Sequence, residues 1–162
     1  MKAWIGLGSN IGDGPVQIGR ALAALEEQPE VALLRKSSLY RSKPWGVTGQ
    51  PDFHNAVAEL ETQLAPLALL QLLQKIESDQ GRRRDGERWQ PRCIDLDLLL
   101  CGDGIYSQPG LEVPHPLMHL RAFVLEPLAE LDPELSIPGK GSVRSQLARL
   151  GPQGVERVDQ AD

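Results

Sequence analysis

The chain lacks a basic excess, a membrane-length apolar run, a metal-type cysteine pattern and both familiar glycine-loop nucleotide signatures. Its 162 residues carry a formal net charge of -5, so broad nucleic-acid or membrane-surface binding, which selects for a net basic face, is excluded and any anion site has to be local. The two cysteines, Cys93 and Cys101, lie in or beside one apolar run and read as reduced, partly buried thiols of a reducing compartment. After Met1, Lys2, Ala3 and Trp4 the chain meets Gly6, Gly8 and Ser9 before a long apolar stretch can form, and no run reaches spanning length. A cytoplasmic location without membrane contact is the expectation. GLGSNIG at 6–12 places its third glycine one residue late for the dinucleotide fingerprint, and no Gly-Lys-Ser/Thr of a P-loop exists, so a turn and helix start is the better reading. Internal repeats and low-complexity tracts are also missing; the 13 prolines and 16 glycines fall between periodic segments, which predicts a single domain over 1–162.

What is present is an alternation of short strands and amphipathic helices. Residues 3–8 read as a strand, followed by a helix start at Asp13 and Pro15 and apolar recurrence at Ile18, Leu22 and Leu25. A second strand runs from 31–34 on to Leu39 and Tyr40, and a third from Phe53 to Glu61. Pro66 opens a second helix with an apolar stripe of Leu69, Leu72, Leu73 and Ile76, and Gly81 suits its C-terminal cap. A polar loop, RRRDGERWQPR, precedes a fourth strand at 94–100; a short helix around 121–126 ends before Pro127, and the remainder reads as peripheral helix and tail. This order predicts an α+β, ferredoxin-like βαββαβ sandwich, an antiparallel sheet with helices on one face and C-terminal additions.

The chemistry concentrates around the fourth strand. Because strand side chains alternate faces, Asp95 and Asp97 point one way while Ile94, Leu96 and Leu98 point the other. Two adjacent carboxylates repel, and hard oxygen donors of this kind suit Mg²⁺ completed by phosphates and water; the spacing alone is equally compatible with a solvated strand face. The preceding loop brings Arg82, Arg83, Arg84, Arg88 and Arg92 around Trp89 in an otherwise acidic chain. Guanidinium groups bind phosphate oxygens bidentately, and an acidic pair beside an arginine-rich loop is what phosphoryl transfer requires. Dipole complementation at a helix C-terminus would account for Arg82 to Arg84 but not for Arg92. The loop's length and polarity fit a lid that closes over substrates. His115 and His119 have i, i+4 spacing, but Pro114 and Pro116 oppose a helix there and so oppose a zinc pair. Phe53 and Asn55 share a strand face, which suits a flat heterocycle with an amide edge and equally a half-buried strand with one polar residue.

GLGSN at 6–10, QPDFHN at 50–55, ERW with Pro91, Arg92 and DLD at 87–97, and VPHP at 113–116 stand in an order and spacing that resembles the 6-hydroxymethyl-7,8-dihydropterin pyrophosphokinases along nearly the full length. The resemblance implies transfer of the terminal pyrophosphate of ATP, as co-substrate, to the pterin hydroxymethyl oxygen in folate biosynthesis. It implies two Mg²⁺ ions on Asp95 and Asp97, with Arg82 and Arg92 stabilising charge as the bond between the α and β phosphates breaks. It places Gln74, Glu77, Arg84, His115 and Arg121 against ATP. The pterin would lie between Phe53 and Phe123, with Asn55 and Ser42 bonding its polar edge and Trp89 sealing the site. A monomer acting on small molecules is expected. Departures from the family pattern are Gln90 in place of a glycine, Leu117 and Leu120 in place of residues that are often charged, and Phe53 in place of a frequent tyrosine. Two other readings use the same residues: a non-catalytic ferredoxin-like nucleotide or partner-binding module, and an RNA-binding module, which the missing paired aromatics and the acidic charge oppose.

Overall fold

Strand β1 (Lys2–Ser9) is the centre of the computed structural model, which describes residues 1–9, 13–42, 52–81, 84–85, 88–89 and 94–158. Along β1 the side chains divide: Ala3, Ile5 and Leu7 enter one buried cluster and Trp4 enters another on the opposite face. β4 (Phe53–Thr62) and β7 (Asp95–Cys101) flank it, both antiparallel. β4 follows the same division, with Ala56, Ala58 and Leu60 in the first cluster and Val57 in the second.

The first cluster is closed by α1 (Gly14–Glu26) and α2 (Pro66–Gly81). The carboxylate of Asp13 caps α1 by accepting from the Val16 N–H at 3.2 Å, Pro15 occupies the first turn, and Ile18, Leu22 and Leu25 are buried at the expected spacing. α2 buries Leu69, Leu73 and Ile76 and runs through Gly81 as its last residue.

The second strand of the sequence reading is interrupted. β2 (Val31–Lys36) and β3 (Tyr40–Ser42) pair in succession with the same edge of β4. At the break, the Ser37 N–H donates to the Val57 carbonyl at 2.9 Å, and the Ser37 hydroxyl accepts from the Val57 N–H at 2.9 Å. The hydroxyl therefore substitutes for a ladder carbonyl, and no buried amide is orphaned. With β2 and β3 counted as one broken strand, the order β3-β4-β1-β7 is the ferredoxin-like arrangement expected.

The C-terminal part departs most from expectation. α3 (Ala122–Leu131) continues through Pro127, where an interior proline had been read as a stop. Burial of Val124, Leu125, Pro127 and Leu128 against the sheet compensates for the lost backbone hydrogen bond. With α4 (Val143–Leu150), which follows the small ribbon of β10 (Ser136–Ile137) and β11 (Gly141–Ser142), it covers the second cluster, so helices lie on both sheet faces instead of one. The tail is not peripheral either: β12 (Glu156–Arg157) joins the main sheet beside β3. Between α2 and β7 the polar loop contains two short paired strands, β5 (Arg84–Asp85) and β6 (Arg88–Trp89), and a ribbon of β8 (Tyr106–Gln108) and β9 (Leu111–Val113) follows β7. Among the described residues no helix is long and apolar enough to cross a membrane.

Replacing Ser37 by Ala orphans the buried Val57 N–H and is expected to lower the unfolding free energy by about 1–3 kcal/mol. Urea titration reads this directly, and an unchanged midpoint would show that the broken strand does not need the hydroxyl.

Candidate functional site

The sheet face opposite α1 and α2 carries Asn55 of β4, Asp95 and Asp97 of β7 and the glycines of β1 between them. Cross-strand register sets Asp95 opposite Gly8 and Gly8 opposite Asn55, and one rung further sets Asp97 opposite Gly6 and Gly6 opposite Val57. Directly paired residues share a face, so both carboxylates, both glycines and Asn55 point the same way. Ile94, Leu96 and Leu98 are buried in the first cluster, which confirms the predicted alternation. Gly6 and Gly8 leave the floor between the carboxylates and Asn55 without side chains; a Cβ at Gly8 would come within 2.9 Å of the Asn55 Oδ1.

Above this floor lies a cavity of about 540 Å³ whose walls include Ser42, Phe53, Asn55, Asp95, Asp97, Arg121 and Phe123. Asn55 is 7% exposed, and its amide donates to the Ser42 hydroxyl at 3.4 Å. The Arg121 guanidinium carbon stands 5.5 Å from the Phe123 ring centroid, within cation–π range. A floor of backbone, aromatic walls and a buried amide can hold a flat ring and read its polar edge.

A second cavity, about 320 Å³, opens on the other side of the same carboxylates and is lined by Gln74, Glu77, Asp95, Asp97, Glu112 and His115 among others. β7 is an edge strand here, and two of its outward backbone groups find partners beyond the sheet. The buried Glu77 carboxylate of α2 accepts from the Leu96 N–H at 2.7 Å, and the His115 backbone N–H donates to the Leu99 carbonyl at 3.0 Å. Burial lowers the His115 pKa from its ordinary value; Asp97 raises it, Arg121 lowers it and Glu112 raises it in turn. The imidazole is held neutral at neutral pH, with Nδ1 accepting from the Leu117 N–H at 3.1 Å.

Asp95 and Asp97 line both cavities. As hard oxygen donors on one face of one strand they fit Mg²⁺, whose shell phosphates and water would complete; among the described residues no three or more His, Cys, Asp or Glu side chains gather into an all-protein cage.

The structure brings the sequence-predicted residues together in two places. Ser42, Phe53, Asn55 and Phe123 meet in the first cavity, and Gln74, Glu77 and His115 in the second. Arg121, grouped with the second set, lines the first cavity beside Asp97. Arg82, Gln90, Arg92 and Cys93 lie outside the described residues, and Arg84 and Trp89 are described only as backbone partners in the β5–β6 pair. Cys101 is a buried free thiol whose pKa burial raises to about 11. Gly6, Gly8, Leu120, Gln153 and Val155 were missed as lining residues; alternation of Gly6 and Gly8 with Ile5 and Leu7 in one strand was the available signal for the floor.

Residues 4–133 match the family described as 7,8-dihydro-6-hydroxymethylpterin-pyrophosphokinase. The chain belongs to this pyrophosphokinase family. It is 48% identical over 157 residues to the 2-amino-4-hydroxy-6-hydroxymethyldihydropteridine pyrophosphokinase of Pseudomonas aeruginosa, covering 97% of this chain and 96% of that protein. The Bacillus subtilis enzyme of the same name is 44% identical over 129 residues, with 80% and 77% covered. The pyrophosphokinase fold is also found in a crystal structure of Plasmodium falciparum HPPK-DHPS with pteroate, at a TM-score of 0.72 and 14% identity. That match covers 91% of this chain but 42% of the longer one, so this chain spans less than half of it.

Glu77 has a fold-stabilising duty at the edge of β7 that is separable from any contact with a ligand. Glu77→Leu is expected to lower the unfolding free energy by about 1.5–3 kcal/mol, while Glu77→Gln, which keeps an acceptor oxygen, costs roughly half of that or less. Equal losses in chemical denaturation would contradict the Leu96 hydrogen bond as the cause.

Proposed function

We propose that the chain transfers the terminal pyrophosphate of ATP to the hydroxymethyl oxygen of 6-hydroxymethyl-7,8-dihydropterin, giving AMP and the pterin diphosphate on the route to tetrahydrofolate. The observation that carries the reading is the pair of cavities meeting at Asp95 and Asp97 in a member of the pyrophosphokinase family. One cavity suits a flat heterocycle, and the other, lined by Glu77, Asp95, Asp97 and Glu112, would accept a phosphate chain through magnesium held on the carboxylates, so the carboxylates stand where hydroxyl and phosphorus would meet.

In the first cavity Phe53 and Phe123 stack on the two faces of the pterin, and Asn55 with Ser42 reads its amide edge. In the second, Gln74, Glu77 and neutral His115 contact ATP. Arg121, at the junction, reaches the phosphates from the pterin side, and its cation–π contact with Phe123 links the two subsites. Asp95 and Asp97 would hold two Mg²⁺ ions, which when bound would neutralise phosphate charge and lower the cost of deprotonating the attacking hydroxyl. The hydroxymethyl oxygen bonds to the β phosphorus, the bond between the α and β phosphates breaks, AMP departs and the hydroxyl proton passes to solvent. Arg82, Arg84 and Arg92 are assigned to the charge that develops on the phosphates, and Trp89 to sealing the site. Both core clusters share one sheet, which supports a single domain over 1–162; use of ATP with a free, buried Cys101 thiol supports a cytoplasmic setting.

The reading is tested by AMP release from the purified chain with ATP, Mg²⁺ and the hydroxymethyl pterin, each omitted in turn. AMP is expected only with all three present, and Asp97→Asn is expected to reduce turnover by at least about a thousandfold without unfolding the protein. ADP as product, or undiminished AMP release by Asp97→Asn, would sink the assignment. Gly8→Ala places a methyl against the Asn55 carbonyl and is expected to raise the pterin KM by about tenfold, the size of a modest overpacking penalty. An unchanged pterin KM in that variant would argue against Asn55 as a ring contact.

A further inference from the structure

The first cavity has a wall that the family match, ending at residue 133, does not reach. Gln153 and Val155 line it, and they belong to the tail between α4 and β12. This tail is built to come back across the site. Gly151 and Gly154 adopt φ of +76° and +72°, which L side chains rarely take, and Pro152 stiffens the turn between them. Beyond the turn, β12 pairs with β3, the Val158 N–H donates to the Leu39 carbonyl at 2.8 Å, and Glu156 pairs with Arg41 at 3.0 Å. The tail is therefore anchored to the strand that carries Ser42, on one side of the cavity.

Gln153 ties it to the other side. The first N–H groups of a helix have no partner within the helix, and the N-cap of α3, Arg121, makes no capping hydrogen bond with its own side chain. The Gln153 Oε1 accepts from the buried Ala122 N–H at 3.1 Å, supplying that cap from 31 positions away in sequence. The residues on either side of Ala122 are Arg121 and Phe123, and both line the cavity.

We propose that Gln153 is a positioning residue for pterin recognition: by capping α3 at Ala122 it fixes Phe123 as the stacking wall while the tail spans the cavity from β3. The proposal rests on the pterin reading of that cavity. It makes the C-terminal tail part of the binding apparatus, acting through backbone geometry instead of through contact with the reacting atoms.

The test is steady-state kinetics on the full-length protein for Gln153→Leu and Gln153→Glu, with thermal unfolding followed in parallel. Gln153→Leu keeps bulk but removes the acceptor, and it is expected to raise the pterin KM by roughly tenfold, the size of a lost N-cap, with kcat within about twofold of wild type and a smaller rise in the ATP KM, because Arg121 flanks the same cap. Gln153→Glu keeps the acceptor beside a helix N-terminus, where a carboxylate is favoured, and is expected to restore the pterin KM to within about twofold. A pterin KM that Gln153→Leu leaves unmoved overturns the proposal. So does a Gln153→Glu variant as impaired as Gln153→Leu, or a loss in which both KM values and kcat move together with the unfolding temperature. A wild-type protein that forms no AMP overturns the reading of the cavity itself, and the proposal with it.

Discussion

The antiparallel ladder β4–β1–β7 constrains everything else, because a period of two residues allows each strand only two kinds of neighbour. One face must be apolar enough to hold α1 and α2, and it is: Ala56 and Ala58, Ile5 and Leu7, Leu96 and Leu98 all enter the same cluster. The other face is then left for residues that do not serve that core, and here lie Asn55, Gly6 and Gly8, Asp95 and Asp97. A shift of one residue in register would bury the carboxylates under α2 and expose the leucines. Burying two unpaired charges would cost far more than the few kcal/mol by which a domain of this size is stable, so the positions of the functional groups are enforced by the core itself.

A run of three leucines and a cysteine cannot follow that alternation to the end of β7. The register passes from Ile5 opposite Leu98 to Trp4 opposite Leu100, leaving Leu99 as the extra residue of a bulge. The bulge resets the phase: Leu99 and Leu100 both enter the cluster beneath α3, and Cys101 returns to the one beneath α1 and α2. The Leu99 carbonyl receives the His115 N–H, so the irregularity that rescues the packing also fixes the approach of the segment carrying His115 to the second cavity.

This explains what was legible in the sequence. Ile94, Asp95, Leu96, Asp97 and Leu98 display their alternation openly, so the carboxylate face could be read without coordinates, and the same was true of Phe53 with Asn55. α1 announced itself through Asp13, Pro15 and its leucine spacing. What stayed hidden depended on distant partners. Nothing near Ser37 in sequence reveals that its hydroxyl would replace a ladder carbonyl for Val57. Pro127 reads as a stop because the apolar surface that keeps α3 helical comes from β1, β4 and β7. Glu77 reads as one acid on a helix, and its bond to Leu96 appears only when α2 lies along the edge of β7. The glycines of GLGSN were weighed as a phosphate loop and rejected, and Gly6 and Gly8 were read within the strand where they lie; what stayed hidden is that their lack of side chains opens the floor of the site.

The cover of α3, α4 and the tail then acquires a reason beyond capping a second core. A sheet with helices on one face would leave a ring stacked on the floor held from one side only. α3 begins at Ala122, and its N-terminal residues and the returning tail form the wall of the cavity above the glycine floor. Tyr40, directly paired with Asn55, donates to Glu130 at 2.7 Å near the C-terminal end of α3, so the helix is tied to the sheet there and to the tail at its N-terminus. Phe123 is thereby held by a scaffold whose two attachments, Glu130 to Tyr40 and Ala122 to Gln153, straddle the cavity it closes. Such a wall keeps its spacing from Phe53 without a ligand present, which lowers the ordering entropy that binding a flat ring would otherwise require.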